Sequence, residues 1–107
     1  MNSIEAGEIE YAAVKYGYVE SAYVLYDAEK RQIVLCYVAA TADDKAKGDT
    51  RKWGIIDEVE YRRWLMTELP VYMVPTRYER LAKMPLNANG KKDREELKRR
   101  YLDNKGA

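Results

Sequence analysis

At 107 residues, with 19 basic against 18 acidic side chains and a net charge of +1, the chain fits one compact domain with a modest core and lacks the charge excess that marks a dominant nucleic-acid footprint. A single cysteine excludes an internal disulfide, and the lack of histidine removes imidazole zinc sites and His-centred acid–base pairs, so any chemistry falls to lysine and carboxylates, with no metal set expected. No apolar run approaches the roughly eighteen residues of a membrane span and the first residues show no basic-then-apolar leader, so a soluble, cytoplasmic protein is expected.

Gly7 to Tyr16 sets Ile9, Ala12, Ala13 and Tyr16 at helical spacing, with Glu8 and Glu10 in the first turn where they favour the dipole. Gly17 ends this helix, and Ser21 to Tyr26, rich in strand formers, follows. Asp27 to Lys30 supplies a turn into Gln32 to Ala40, the most continuous apolar run, which reads as a central strand buried on both faces. Cys36 lies inside it and reads as a small buried hydrophobe rather than a reactive thiol.

Thr41 to Lys52 is polar, charge-mixed and aperiodic, as a surface loop would be. Asp57 then offers a helix cap with Glu60 three residues on, and Val59, Tyr61, Trp64, Leu65 and Leu69 trace an apolar face until Pro70 stops it. Trp53 and Trp64 read as core anchors. Pro70 and Pro75 bracket Val71 to Val74 as an extended arm, and Thr76 to Lys83 reads as an edge strand.

The chain then reaches its most informative stretch, Pro85 to Leu97. Asn89-Gly90 accepts positive φ at low cost and marks a tight reversal that throws Lys91 outward. Asp93 can cap the last helix, with Glu96 placed to answer it as a capping box. That helix, Arg94 to about Tyr101, sets Leu97, Tyr101 and Leu102 on one side and Lys98, Arg99 and Arg100 on the other. The order of elements predicts an α+β domain in which a small sheet of about three strands is flanked by helices.

The stretch Asn89 to Arg94, NGKKDR, preceded by Met84-Pro85-Leu86 and followed by Glu95-Glu96-Leu97, resembles the last core motif of adenylate-forming (AMP-binding) enzymes. Its form is that of amino-acid-activating members, the nonribosomal peptide synthetase adenylation domains and D-alanine:carrier-protein ligases. Ile4 to Glu10, IEAGEIE, is similar to an earlier core motif of the same family, and Leu69 to Tyr78, LPVYMVPTRY, to the segment leading into the last one. Ala6, where leucine or proline is common, and Asn87, where threonine is usual, depart from the pattern, and neither falls on the lysine.

The resemblance implies that residues 1–107 form the small, mobile C-terminal lid of such an enzyme, without the large N-terminal domain that holds most of the ATP and acid pocket. It implies Lys91 as the catalytic residue, with Asn89 and Gly90 beside it in nucleotide binding, acting on ATP or AMP with Mg2+ shared with that absent domain. It implies transfer of the activated acid to a pantetheine thiol on a second face, for which Glu5, Gly7 and Glu8 are candidates, although a loop leading into an acidic first turn accounts for them equally. The implied partners are the chain's own N-terminal adenylation domain and an acyl or peptidyl carrier protein, which Arg94, Lys98, Arg99 and Arg100 would meet if they are more than a solvated face. No membrane or nucleic-acid partner is expected, and the fragment alone should be inactive. The alternative is a stand-alone protein- or nucleic-acid-binding module in which Lys91 is idle and exposed tyrosines serve as stacking surfaces.

Overall fold

The structure, a computed structural model, describes residues 5–40 and 56–102, so the expected loop over 41–52 and Trp53 lie outside the described residues. In chain order, α1 (Ala6–Lys15) leads through β1 (Val19–Asp27) and β2 (Gln32–Ala39) to α2 (Glu58–Glu68), then β3 (Arg77–Leu81) and α3 (Arg94–Tyr101). The sheet has three strands in the order β1-β2-β3. β1 runs antiparallel to β2, from Val19 opposite Ala39 to Asp27 opposite Gln32, whereas β3 lies parallel to β2, with Val34 opposite Arg77 and Val38 opposite Leu81. A parallel neighbour needs a crossover, and the segment containing α2 provides it.

β2 decides the layering, because its side chains alternate between two separate apolar clusters. Ile33, Leu35 and Tyr37 face a cluster built with Ile9, Ala12 and Ala13 of α1 and Tyr61 and Leu65 of α2. Val34, Cys36 and Val38 face the other side, where Leu25, Leu81 and Leu97 of α3 close over them. A strand wet on one face would place charges at every second position, whereas every residue from Ile33 to Ala39 is buried, as expected of a strand covered on both sides. The domain is therefore a helix pair, a sheet and a single helix in three layers, the α+β arrangement that the element order implies.

The chain has ten tyrosines and no phenylalanine, and Tyr16, Tyr37, Tyr61 and Tyr78 take part in the larger cluster, so phenolic hydroxyls must be satisfied inside it. Tyr61 stacks on Tyr16 at 4.7 Å between ring centroids and donates its hydroxyl to the Ala13 carbonyl at 2.9 Å. Tyr37 donates to the Glu58 carboxylate at 2.8 Å, which ties the start of α2 to the sheet. Trp64 is partly buried against this cluster, the core role expected of it.

Several expectations need correction. Val71–Met73 forms a 3-10 turn rather than an extended arm, with the Met73 N–H reaching the Pro70 carbonyl at 2.9 Å; Met73 and Val74 turn into the core while Val71 is left 81% exposed. Val59 is 66% exposed, because α2 buries only Tyr61 and Leu65 of its own length against the sheet. Glu10 does not act in the first turn of α1: its carboxylate accepts from the Val24 N–H at 2.8 Å, capping the outer edge of β1. The β1–β2 reversal lies one residue later than expected and carries Arg31 at φ +54°, held by the Lys30 N–H donating to the Asp27 carboxylate at 3.2 Å.

Two stability predictions follow from the buried hydroxyls and thiol. Among the described residues the buried Tyr78 hydroxyl has no hydrogen-bond partner, so Tyr78→Phe should raise unfolding free energy by about 1 kcal/mol in urea titration, and a comparable loss would show that the hydroxyl is satisfied. Burial pushes the Cys36 thiol up from 9.0 to about 12, with the nearby Glu79 carboxylate adding to it, and burial also raises the Tyr61 phenol. Both groups are raised in the folded state, so stability should be level below pH 9 and then fall as the unfolded chain alone releases their protons, each fully buried group adding about 1.4 kcal/mol per pH unit to the slope. Urea midpoints measured between pH 8 and pH 11 check this.

Candidate functional site

The segment after β3 crosses to the α3 face and folds back on itself before the last helix. Met84 packs against the smaller cluster, and Leu97 is fully buried in it, so both feet of the intervening loop stand on the same apolar base. The loop closes as a miniature antiparallel ladder. The Asp93 N–H donates to the Pro85 carbonyl at 2.9 Å, Leu86 bridges Lys92, and the Asn87 N–H donates to the Lys91 carbonyl at 2.7 Å.

The tip is a four-residue turn from Asn87 to Gly90, closed by the Gly90 N–H on the Asn87 carbonyl at 2.9 Å. Ala88 and Asn89 stand at its centre, and Gly90 takes φ +79°, the left-handed position that completes a turn-plus-bulge hairpin. A Cβ at Gly90 would meet nothing within 4 Å, so the requirement for glycine here is conformational and not steric. The reversal is thus one step earlier than Asn89-Gly90 at its centre, but it needs the same glycine.

Asn87 organises this tip. Its side-chain carbonyl accepts from the Asn89 N–H at 2.8 Å and from the Lys91 N–H at 3.1 Å, so the departure from the usual threonine does touch the lysine, through its backbone. A threonine hydroxyl would also present a single acceptor oxygen, so no local spacing singles Asn87 out. Asp93 caps α3 as expected by accepting from the Glu96 N–H at 3.0 Å. The capping box is not completed: the Asp93 N–H is spent on Pro85, and the Glu96 carboxylate turns to Arg99 and Arg100, whose hydrogen bonds hold it below the usual carboxylate range.

The two adjacent lysines have different environments. The Lys92 ammonium donates to the Ala22 carbonyl on β1 at 2.9 Å, across 70 positions of sequence. Lys91 is exposed, and among the described residues its ammonium has no hydrogen bond or ion pair. The sequence contains no local signal for the Lys92 contact, since it depends on where the sheet edge lies.

Glu5, Gly7 and Glu8 sit together at the start of α1, on the layer opposite α3. Glu5 is the N-cap residue but makes no side-chain capping bond; its carbonyl accepts from the N–H groups of Glu8 and Ile9 at 3.0 and 3.2 Å. Gly7 is helical and exposed, and an added Cβ would meet nothing within 4 Å. These three residues belong to the α1 layer, whereas the Lys91 loop is seated on the α3 layer through Met84 and Leu97. Among the described residues no group of His, Cys, Asp and Glu is placed to hold a metal ion, and no helix is long and apolar enough to cross a membrane. Of the tyrosines that a stacking surface would require, Tyr16, Tyr37, Tyr61 and Tyr78 pack on one another in the core, and exposed Tyr11, Tyr26 and Tyr72 are on α1, β1 and the 3-10 turn rather than on basic α3.

Comparison with known proteins bears on this geometry directly. The family model for the AMP-binding enzyme C-terminal domain matches residues 8–91. Nonribosomal peptide synthetase kk1B of Curvularia clavata is 34% identical over 100 residues, covering 91% of this chain and 1% of that protein. Tyrocidine synthase 2 of Brevibacillus parabrevis is 36% identical over 84 residues, covering 78% of this chain and 2% of that protein. The chain therefore spans a very small part of these relatives. Among solved structures, Klebsiella oxytoca NpsA in complex with 3-hydroxyanthranilyl-AMSN superposes with a TM-score of 0.72 and 26% identity over 91% of this chain and 17% of that one. A family model that matches most of the chain and ends on Lys91, joined to relatives matched along most of the sequence and to a similar fold, shows that this chain belongs to the AMP-binding enzyme C-terminal domain family, homologous to nonribosomal peptide synthetase adenylation domains.

Proposed function

We propose that this domain is the mobile lid of an amino-acid- or carboxylate-activating ligase and that Lys91 is its catalytic residue. The observation that carries the reading is the contrast between the two lysines: Lys92 is committed to the sheet, whereas Lys91 stands uncommitted and exposed on a turn closed by backbone and side-chain hydrogen bonds. A cation intended for a neighbouring domain's ligand needs a rigid base and a free end. In this reading Asn89 and Gly90 bring the loop backbone close to the nucleotide, and ATP with its Mg2+ is held chiefly by the large domain. One relative named above is a nonribosomal peptide synthetase, which favours the adenylation-domain reading over that of a D-alanine:carrier-protein ligase.

Acid activation presses a carboxylate against the anionic α-phosphate, and charge accumulates around phosphorus as pyrophosphate leaves. An ammonium bridging the carboxylate and phosphate oxygens offsets that build-up. At about 4 Å and an effective dielectric near 20, a unit charge contributes up to roughly 4 kcal/mol, or about a thousandfold in rate. Lysine suits this better than arginine because a point charge on a flexible stem can follow the moving oxygens.

For the second step the domain turns and presents the start of α1. Glu5 and Glu8 would line the approach of a pantetheine arm, and Gly7, which the helix does not need as glycine, leaves its backbone open to close contact. A carrier protein's acidic surface would meet Arg94 and Lys98 on α3, since Arg99 and Arg100 share Glu96.

The test joins this chain to a matching large adenylation domain and measures acid-dependent ATP–pyrophosphate exchange. Lys91→Ala should lower exchange by about a hundredfold to a thousandfold, while thioester formation from preformed acyl-adenylate survives, because that step uses the other patch. Equal exchange rates for Lys91→Ala and wild type would remove the catalytic assignment. The chain without the large domain should show no exchange.

A further inference from the structure

The outer edge of β1 is held from two directions. Ala22 and Val24, two residues apart on an edge strand, point their backbone groups away from β2, and each meets a side chain from a distant element. Glu10 of α1 accepts from the Val24 N–H at 2.8 Å, and Lys92 of the loop donates to the Ala22 carbonyl at 2.9 Å. Charged groups on an exposed edge commonly only block strand addition. Here the Lys92 contact does more, because of its position in the loop. It is the loop's one side-chain hydrogen bond to the sheet among those described; the other bonds of the loop are internal to residues 85–93 or tie Asp93 to the first turn of α3.

We infer that Lys92 is a positioning residue for Lys91: its ammonium, fixed on the Ala22 carbonyl, locks the loop to the sheet and thereby sets the direction in which Lys91 projects. This rests on the reading of Lys91 as the catalytic lysine. Successive side chains in an extended pair leave on opposite sides. Lys92 occupies the bridge with Leu86, so pinning its side chain toward β1 sends the Lys91 side chain the other way, off the domain. The bond is charge-assisted, with a carbonyl acceptor that β2 does not use. It spans 70 positions, so the loop and sheet turn as one body when the domain rotates. Without it the loop is held only at its ends, by Met84 and Leu97 beneath its feet and by Asp93 at the start of α3, and the tip is free to tilt. Misplacement of a reacting group by about 1 Å can cost as much as a hundredfold in rate.

The experiment uses the enzyme assembled with its large domain and compares Lys92→Met, which keeps the stem and removes the donor, with Lys92→Arg, Lys91→Ala and the double variant Lys91→Ala/Lys92→Met. Lys92→Met is expected to lower kcat for ATP–pyrophosphate exchange by about tenfold, with KM for acid and ATP and the rate of thioester formation from supplied acyl-adenylate unchanged within about twofold. Lys92→Arg, which retains a donor of similar reach, is expected to recover most of that loss. The double variant should be no slower than Lys91→Ala, because a residue acting through Lys91 has nothing to position once the amine is gone. On the 107-residue chain itself, Lys92→Met should speed hydrogen exchange at the Lys91 amide and leave Leu35 in the core unchanged.

Wild-type exchange rates in Lys92→Met alongside a large loss in Lys91→Ala would overturn the positioning role and leave the catalytic reading standing. An equal loss in both half-reactions, or core exchange accelerated with the loop, would also overturn it by showing a general structural defect. Wild-type rates in Lys91→Ala would instead remove the reading on which this inference rests.

Discussion

Burial of β2 on both faces is the constraint from which the rest of the domain follows. A strand whose side chains are apolar in both directions cannot be stabilised by one layer of helices, so α1 and α2 must cover one side and α3 the other. That requirement puts α1 and the feet of the Lys91 loop in different layers. The start of α1, with Glu5, Gly7 and Glu8, belongs to one layer, and the Lys91 loop is seated on the other through Met84 and Leu97. The proposed lid, turning between two successive reactions, would need a body that does not deform, and a twice-covered sheet supplies one.

The Lys91 loop shows how little of a site's rigidity has to come from packing. Its tip is exposed, and it is held by hydrogen bonds: Pro85 with Asp93, Asn87 with Lys91 twice, Gly90 with Asn87, and Lys92 with Ala22. Only the last of these reaches outside the loop. Buried anchors at the feet and polar closure at the tip leave one ammonium free, which is what electrostatic stabilisation of a ligand held elsewhere requires.

Much of this was legible in the sequence because the deciding signals were local. The apolar run of β2, the helical spacing of Ile9, Ala12 and Ala13, the Asp57 and Asp93 caps and the Asn-Gly reversal are each written within a few residues. What was not legible depended on tertiary neighbours. Glu10 looks like a first-turn acid until β1 offers it an unpaired N–H, and Lys92 looks like a second copy of Lys91 until the sheet edge comes within reach. Val71 to Val74 carries strand-forming residues, yet Pro70 starts a 3-10 turn that drives Met73 and Val74 into the core. Asn87 was visible only as a departure from a pattern; its role in closing the turn emerges from two hydrogen bonds that no spacing encodes.

The central claim is that the free amine of this loop meets the reacting phosphate. The most direct measurement is a crystal structure of the assembled enzyme holding a non-hydrolysable acyl-adenylate mimic. The account predicts the Lys91 Nζ within about 3 Å of a phosphate or acyl oxygen in the adenylating orientation, with Lys92 still on the Ala22 carbonyl. An amine remote from the nucleotide in every domain orientation captured would contradict it.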